Sequence, residues 1–206
     1  MDTVVWIIIG ASSIFSLMCW RNPEMFAKYQ LNPYQIIHRK QYVRVITHAF
    51  MHANWAHLIV NMLVLWSFGV ALTRYFSLIW GNYAVIHFLI LYILGIIASS
   101  IFSIIKHKDN PHYNAVGASG ATSAVVFACM FFEPWRMIYF FGVIPIPGIV
   151  FGIIYLIYSY RMSKQSNDNI GHDAHFWGAL FGFIYPLIAK PQLIQQFIYQ
   201  LTNFNF

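Results

Sequence analysis

Apolar positions along this chain gather into long runs, without the short alternations of a soluble domain. A helix needs about 20 mainly apolar residues to cross a hydrocarbon layer roughly 30 Å thick. Six stretches approach that requirement: 3–20, 57–73, 83–105, 118–132, 147–160 and 172–189. The first lacks a basic start and a small-residue cleavage site, so it reads as a retained span and not as a signal peptide. Arg74 closes the second, Lys106 and Lys108 the third, Glu133-Pro134 the fourth and Lys190-Pro191 the sixth. Pro145, Pro147 and Gly148 break the apolar run that starts at Met137. Proline is tolerated at the first position of a helix and not in its interior, which starts the fifth span near Pro147. A polar loop is expected over 161–169, and the tail to Phe206 reads as interfacial.

Residues 21–55 differ in kind. They hold five Lys/Arg, two prolines and several amphipathic stretches, too polar to span and too aromatic for a plain linker. The pattern predicts an all-α membrane protein with a membrane-associated first loop. Residues 1–206 then form a single polytopic domain, with no internal repeat and no low-complexity stretch.

Composition agrees and excludes several classes. The chain is 59% hydrophobic and only 9% charged, against about 25% charged in soluble domains. Its +6 net charge comes from scattered cations, which is not a nucleic-acid footprint. Lipid is the expected surrounding and no nucleic-acid partner is expected. Cys19 and Cys129 both lie inside apolar runs and suggest neither a disulfide framework nor a zinc site.

Alternating direction carries the argument from spans to chemistry. The second, fourth and sixth spans run the same way, so His57, Ser119 and His175, near their N-termini, share one membrane face. The run 119–132 has 14 residues, about 21 Å at 1.5 Å per residue, too short to cross alone. Its start is therefore expected below the surface, with residues 110–116 dipping to meet it. Irregular backbone at that depth is tolerated only where protein buries it or it lines a wet cavity, so a water-filled pocket is expected at Ser119. Gly120, Ala124 and Ala128 recur every four residues, as do Ala174, Gly178 and Gly182. Small-residue stripes of this kind let membrane helices approach closely, and facing stripes would bring Ser119 to His175. A serine hydroxyl becomes a useful nucleophile when a histidine takes its proton. A helix N-terminus favours the negative charge that then develops. Gly117 and Gly120 would let a peptide approach the backbone. His57 and Asn61, four apart on one helix face, could join the Ser119 N–H as oxyanion donors. Asp173 lies two residues from His175 and points elsewhere, so a Ser–His dyad is expected and not a triad.

These residues resemble the rhomboid intramembrane serine proteases. Gly117-Ala118-Ser119-Gly120 is similar to that family's G-x-S-G. His57-x-x-x-Asn61 resembles its second-helix motif, and His175-x-x-Gly178-x-x-x-Gly182 its sixth-helix motif. The stretch 44–52, from Arg44 to His52, resembles the family's first loop leading into helix two. The resemblance covers the chain from the first span through Gly182, and it implies a compact six-transmembrane-helix bundle. It makes Ser119 the nucleophile and His175 the general base, with His57 and Asn61 stabilising the oxyanion. Gly117, Gly120, His52 and Arg44 become supporting residues. Implied with these are peptide hydrolysis in or near the transmembrane segments of single-pass or multi-pass membrane proteins, no cofactor or metal, and residence in the cell (inner) membrane of a bacterium. Two positions depart from the pattern. Val43 stands where many members carry Trp, and Ser123 where some bacterial members place an aromatic that packs on the base. Trp177 or a tyrosine of the fifth span could orient His175 instead.

Other readings compete. The GASGA stretch alone is a common packing stripe, His87 reads as structural, and His48, His52 and His57 could gather around a metal. The polytopic chain could be an inactive rhomboid-like scaffold that binds transmembrane helices, although such a loss would remove Ser119 or His175. A transporter predicts paired intramembrane charges or inverted repeats, and neither is found. The aromatic stretch 137–147, with Phe140 and Phe141, is the expected side of substrate access. Orientation divides the arguments. With the N-terminus inside, outer loops hold nine Lys/Arg and inner segments only Arg74, Arg136 and Lys190. The positive-inside rule would invert that arrangement, whereas the resemblance implies an inside N-terminus.

Overall fold

A computed structural model describes residues 2–140, 142–165 and 171–203. Helix α1 (Thr3–Arg21) is followed by a folded first loop of short helices, α2 (Pro23–Tyr29), α3 (Pro33–Arg39) and α4 (Arg44–Thr47), then a 3-10 turn at His48–Phe50. Both α2 and α3 start in the same way. Asn22 and Asn32 accept a hydrogen bond from the backbone N–H of the third residue of each helix, and a proline occupies the first helical position, where its missing N–H costs nothing. Long helices α5 (Trp55–Trp80) and α6 (Ala84–His107) follow, then α7 (Ser119–Phe132), α8 (Gly148–Gln165), α9 (His172–Ala189) and α10 (Leu193–Thr202). Thr3–Arg21 and the stretch Trp55–His107 are long and apolar enough to cross a bilayer, whereas Ser119–Phe132 is apolar but shorter.

Three boundaries differ from expectation. Helix α5 continues past Arg74, whose exposed side chain does not interrupt the turn, and stops at Gly81 with φ +53°, a conformation suited to glycine. Helix α8 runs through Gln165, beyond the loop expected from 161. Between α7 and α8 lies an antiparallel hairpin, β1 (Met137–Phe140) with β2 (Ile144–Pro147). Among the described residues the fold is therefore helical apart from one hairpin. Pro145 and Pro147 stop the helix as expected, but their fixed φ also suits an edge strand, and Gly142 turns the chain at φ +74°.

The core is built around α7. Thirteen of its 14 residues, Gly120 to Phe132, are buried, against α5, α6 and α9. Direction follows from cross-helix pairs. Thr122 donates to Asn61 and Cys129 to the Phe68 carbonyl, so α5 and α7 run parallel. A methyl placed on Gly178 would overlap the Gly120 carbonyl, and one on Gly182 the Ala124 carbonyl, so α7 and α9 also run parallel and in near backbone contact. Lys106 meets Asp173 at one end of the α6–α9 pair while His87 meets Tyr185 at the other, which makes that pair antiparallel. The first turns of α5, α7 and α9 consequently share one end of the bundle.

The hairpin sits at the opposite end of α7. Gly148 donates to the Arg136 carbonyl and Ile149 to that of Pro134, both just past the C-terminus of α7. Residues 137–147 are thus a helix length from Ser119, and access to the serine by way of this stretch is not what the fold offers. Phe141 and the side chain of Phe140 lie outside the described residues.

Candidate active site

Ser119 opens α7, immediately after a turn that other parts of the chain hold in place. Gly117 has φ +122°, and any side chain there would run into the His57 ring. Its N–H donates to the His48 carbonyl at 2.9 Å. The next N–H, of Ala118, donates to His52 Nε2 at 3.4 Å. Since Nε2 accepts, the neutral ring carries its proton on Nδ1 and donates to Ser16 Oγ of α1 at 3.1 Å. Ser16 in turn donates to the Phe50 carbonyl. His52 is fully buried, and burial pushes its pKa down to about 3, with the neighbouring His57 acting in the same direction. His48, buried likewise, is pushed down to about 4; its ring is held by the Val45 backbone and by Ser100 Oγ, 3.0 Å from Nε2. Both histidines are neutral fasteners.

Further back, residues 108–118 are stitched to the first loop. Leu31 and Ala115 exchange both backbone hydrogen bonds, at 2.9 and 3.0 Å, and Asn32 reaches Pro111 and Asn114. The chain before Ser119 is held by strand-like pairing that no local pattern announces. Arg44 is buried and donates to the carbonyls of Ala27 and Gln30 and to Gln41. It braces the first loop and is one of that loop's five cations. A cavity of about 910 Å3 lies in this loop, bordered by Lys28, Gln35, Lys40, Tyr42 and Asn114 among others. Its lining does not include Ser119, so it is not the pocket expected there.

His57 and Asn61 occupy the first two turns of α5. The Asn61 amide is fixed at both ends: Oδ1 accepts from Thr122 at 3.1 Å and Nδ2 donates to the His57 carbonyl at 2.8 Å. Thr122 also points at the Ser119 carbonyl, at 3.0 Å. One N–H of the amide is left for another acceptor. The His57 ring lies edge-on to His52, centroids 5.0 Å apart, and against Gly117.

His175 lies in the first turn of α9, one turn before Gly178. The contact of Gly120 with Gly178, and of Gly120 with the Ala174 carbonyl, sets the first turns of α7 and α9 side by side. Of the two side chains considered for orienting His175, the tyrosine is the one in contact. Tyr155 of α8 stacks on the His175 ring, centroids 6.2 Å apart and planes 21° apart. Its hydroxyl lies 2.7 Å from Ser123 Oγ. Trp177 stacks on Phe102 of α6 instead. Asp173 forms an ion pair with Lys106 at 3.0 Å, consistent with its exclusion from a triad. His87 does have a partner: Tyr185 lies 2.9 Å from its Nδ1, and Trp80 stacks on its ring. Among the described residues no group of three or more His, Cys, Asp or Glu converges on a metal position.

A serine at the start of a buried helix, beside the histidine-bearing first turns of two parallel neighbours, marks a helical protein with a candidate hydrolase centre. The chain belongs to the rhomboid family, since the Rhomboid domain model matches residues 39–192, and it is therefore an integral membrane protein. It is 26% identical over 197 residues to RHOMBOID-like protein 12, mitochondrial, of Arabidopsis thaliana, covering 86% of this chain and 55% of that protein. It is 28% identical over 195 residues to Rhomboid protein 1, mitochondrial, of Saccharomyces cerevisiae, covering 88% and 52%. Against the rhomboid protease GluP of Bacillus subtilis it is 30% identical over 162 residues, covering 79% and 29%. The chain spans about half the length, or less, of the curated relatives it matches. The family thus includes a protease. The mitochondrial names among these relatives do not support the expected bacterial cell membrane.

Proposed function

We propose that this protein is an intramembrane serine endopeptidase acting on membrane proteins at or near their transmembrane segments. Six helices, α1, α5, α6, α7, α8 and α9, serve as the spans. Ser119 Oγ attacks the scissile carbonyl while His175 takes its proton. The oxyanion is held by the Ser119 N–H, by the unspent N–H of Asn61 and by His57. His175 then returns the proton to the leaving amine, and water, activated by the same imidazole, releases the acyl group. This dyad needs no metal or cofactor.

The observation that carries the reading is the glycine-paired contact of α7 and α9, which sets the serine-bearing and histidine-bearing turns next to each other. Support also comes from the locked Asn61 amide, because a donor held before reaction begins costs no reorganisation at the transition state. The test is cleavage of a model transmembrane substrate by the purified protein, alongside Ser119→Ala and His175→Ala. Cleavage by the parent and loss in both variants is expected. Equal cleavage by all three would overturn the assignment, and binding of the substrate helix without cleavage would favour a scaffold.

A further inference from the structure

Helix α8 is the least buried of the long helices, with only Gly148, Gly152 and Ser159 buried. Ile153, Ile154, Ile157, Tyr158 and Tyr160 are exposed. It nevertheless supplies the ring that stacks on the candidate base. Tyr155 stacks on His175, and three residues later Tyr158 meets His172 edge-on at 5.5 Å. His172 itself stands edge-on to His175 at 5.9 Å. Two pairs of residues, each three apart on its own helix, therefore form a ladder of four rings between α8 and α9. Tyr155 is pinned in turn by its hydroxyl contact with Ser123 of α7, at 2.7 Å, and by ring contacts with Phe127 and Phe151.

We infer that Tyr155 is a positioning residue for His175, its ring face doing most of the aligning and its hydroxyl contact with Ser123 adding to it while α8 is seated on α7. This deepens, and rests on, the protease reading. An imidazole on two rotatable bonds has several rotamers, and an offset aromatic stack at this distance is worth about as much as selecting one of them costs. A hydroxyl bridge between α7 and α8 then restricts where that aromatic face can be. Withdrawal of α8 breaks the bridge and the stack together, so the ring loses its orientation whenever the helix leaves. A phenylalanine at 155 keeps the face and loses the bridge; a leucine loses both.

The test combines kinetics with a readout independent of turnover. Cleavage of a model transmembrane substrate is compared for the parent, Tyr155→Phe, Tyr155→Leu and Ser123→Ala. In parallel, the His175 imidazole is followed by NMR in histidine-labelled protein across a pH titration. Tyr155→Leu should lower kcat by about tenfold or more with KM little changed, since misplacing a catalytic group by about 1 Å costs up to about 100-fold. It should also move the His175 ring resonances and the acid limb of the pH profile. Tyr155→Phe should recover most of kcat, with Ser123→Ala between the two. The inference is overturned if Tyr155→Leu leaves kcat and the His175 resonances as in the parent, or if Tyr155→Phe and Tyr155→Leu lose kcat equally. An inactive parent would overturn the protease reading instead, and the NMR comparison would still decide whether Tyr155 sets the ring.

Discussion

Helices α7 and α8 share the candidate site but are built on opposite terms. In α7 nearly every residue is buried, and its neighbours approach so closely that glycine is the only residue that fits at the crossing with α9. Helix α8 touches the bundle along a stripe of Gly148, Gly152, Tyr155 and Ser159 flanked by half-buried Phe151 and Leu156, and leaves its opposite face, with Ile153, Ile154, Ile157 and Tyr158, exposed. Ser119, the proposed nucleophile, thus rides on the most buried helix, and the ring that faces His175, the proposed base, comes from the least buried of the long helices. Precision where a bond is made, and looseness where a substrate helix must be admitted, are compatible only if different helices supply them.

Substitutions can break this contrast, and the largest effect is expected at the chemistry itself. Ser119→Ala should reduce cleavage by about a thousandfold or more, the scale seen when a hydrolase nucleophile is removed, as measured by product formation from a transmembrane substrate. Gly178→Ala comes next. Its methyl would overlap the Gly120 carbonyl, and backbone cannot swing aside as a side chain can. Overpacking of this sort costs about 3 kcal/mol or more, visible as a lower unfolding temperature in detergent together with lost activity.

Acidification tests the fasteners behind Ser119. His52 and His48 have folded pKa values pushed down to about 3 and about 4 by burial, whereas unfolded histidine titrates near 6.5. Below about pH 6.5 the unfolded chain binds more protons than the folded one, so stability falls as pH drops and levels off only below the folded values. By pH 5 the loss should be on the order of 2 kcal/mol per histidine, read as a falling unfolding temperature between pH 7.5 and 5. His52→Gln should flatten about half of that dependence. The smallest effect is expected on α8. A methyl at Gly152 meets the flexible Met130 side chain and the edge of Phe127, and methionine adapts easily. Gly152→Ala should therefore change stability by less than about 1 kcal/mol. A cost at Gly152 equal to that at Gly178 would erase the distinction between the two helices.

How much of this was legible in the chain varies with the range of the interaction. The stripes of Gly120, Ala124, Gly178 and Gly182 are visible because helical packing repeats every four residues, and the facing stripes are found in contact. The parallel course of α5, α7 and α9 follows from alternation alone. The hairpin is not visible, because Pro145 and Pro147 announce where a helix stops without saying what replaces it. The pairing of Leu31 with Ala115 is hidden because it joins residues far apart in sequence through backbone groups that every residue carries. Tyr155 is one of three tyrosines in α8, and only the packing of that helix separates it from Tyr158 and Tyr160. His87 is assigned a structural role in both readings, but its partner Tyr185 lies 98 residues away.

The most direct measurement is labelling of the folded, detergent-solubilised protein with a fluorophosphonate, followed by mass mapping of the adduct. A single adduct on Ser119, strongly reduced in His175→Ala, is the predicted result. No adduct on Ser119, or labelling that is indifferent to His175, would contradict the assignment of these two residues as nucleophile and base.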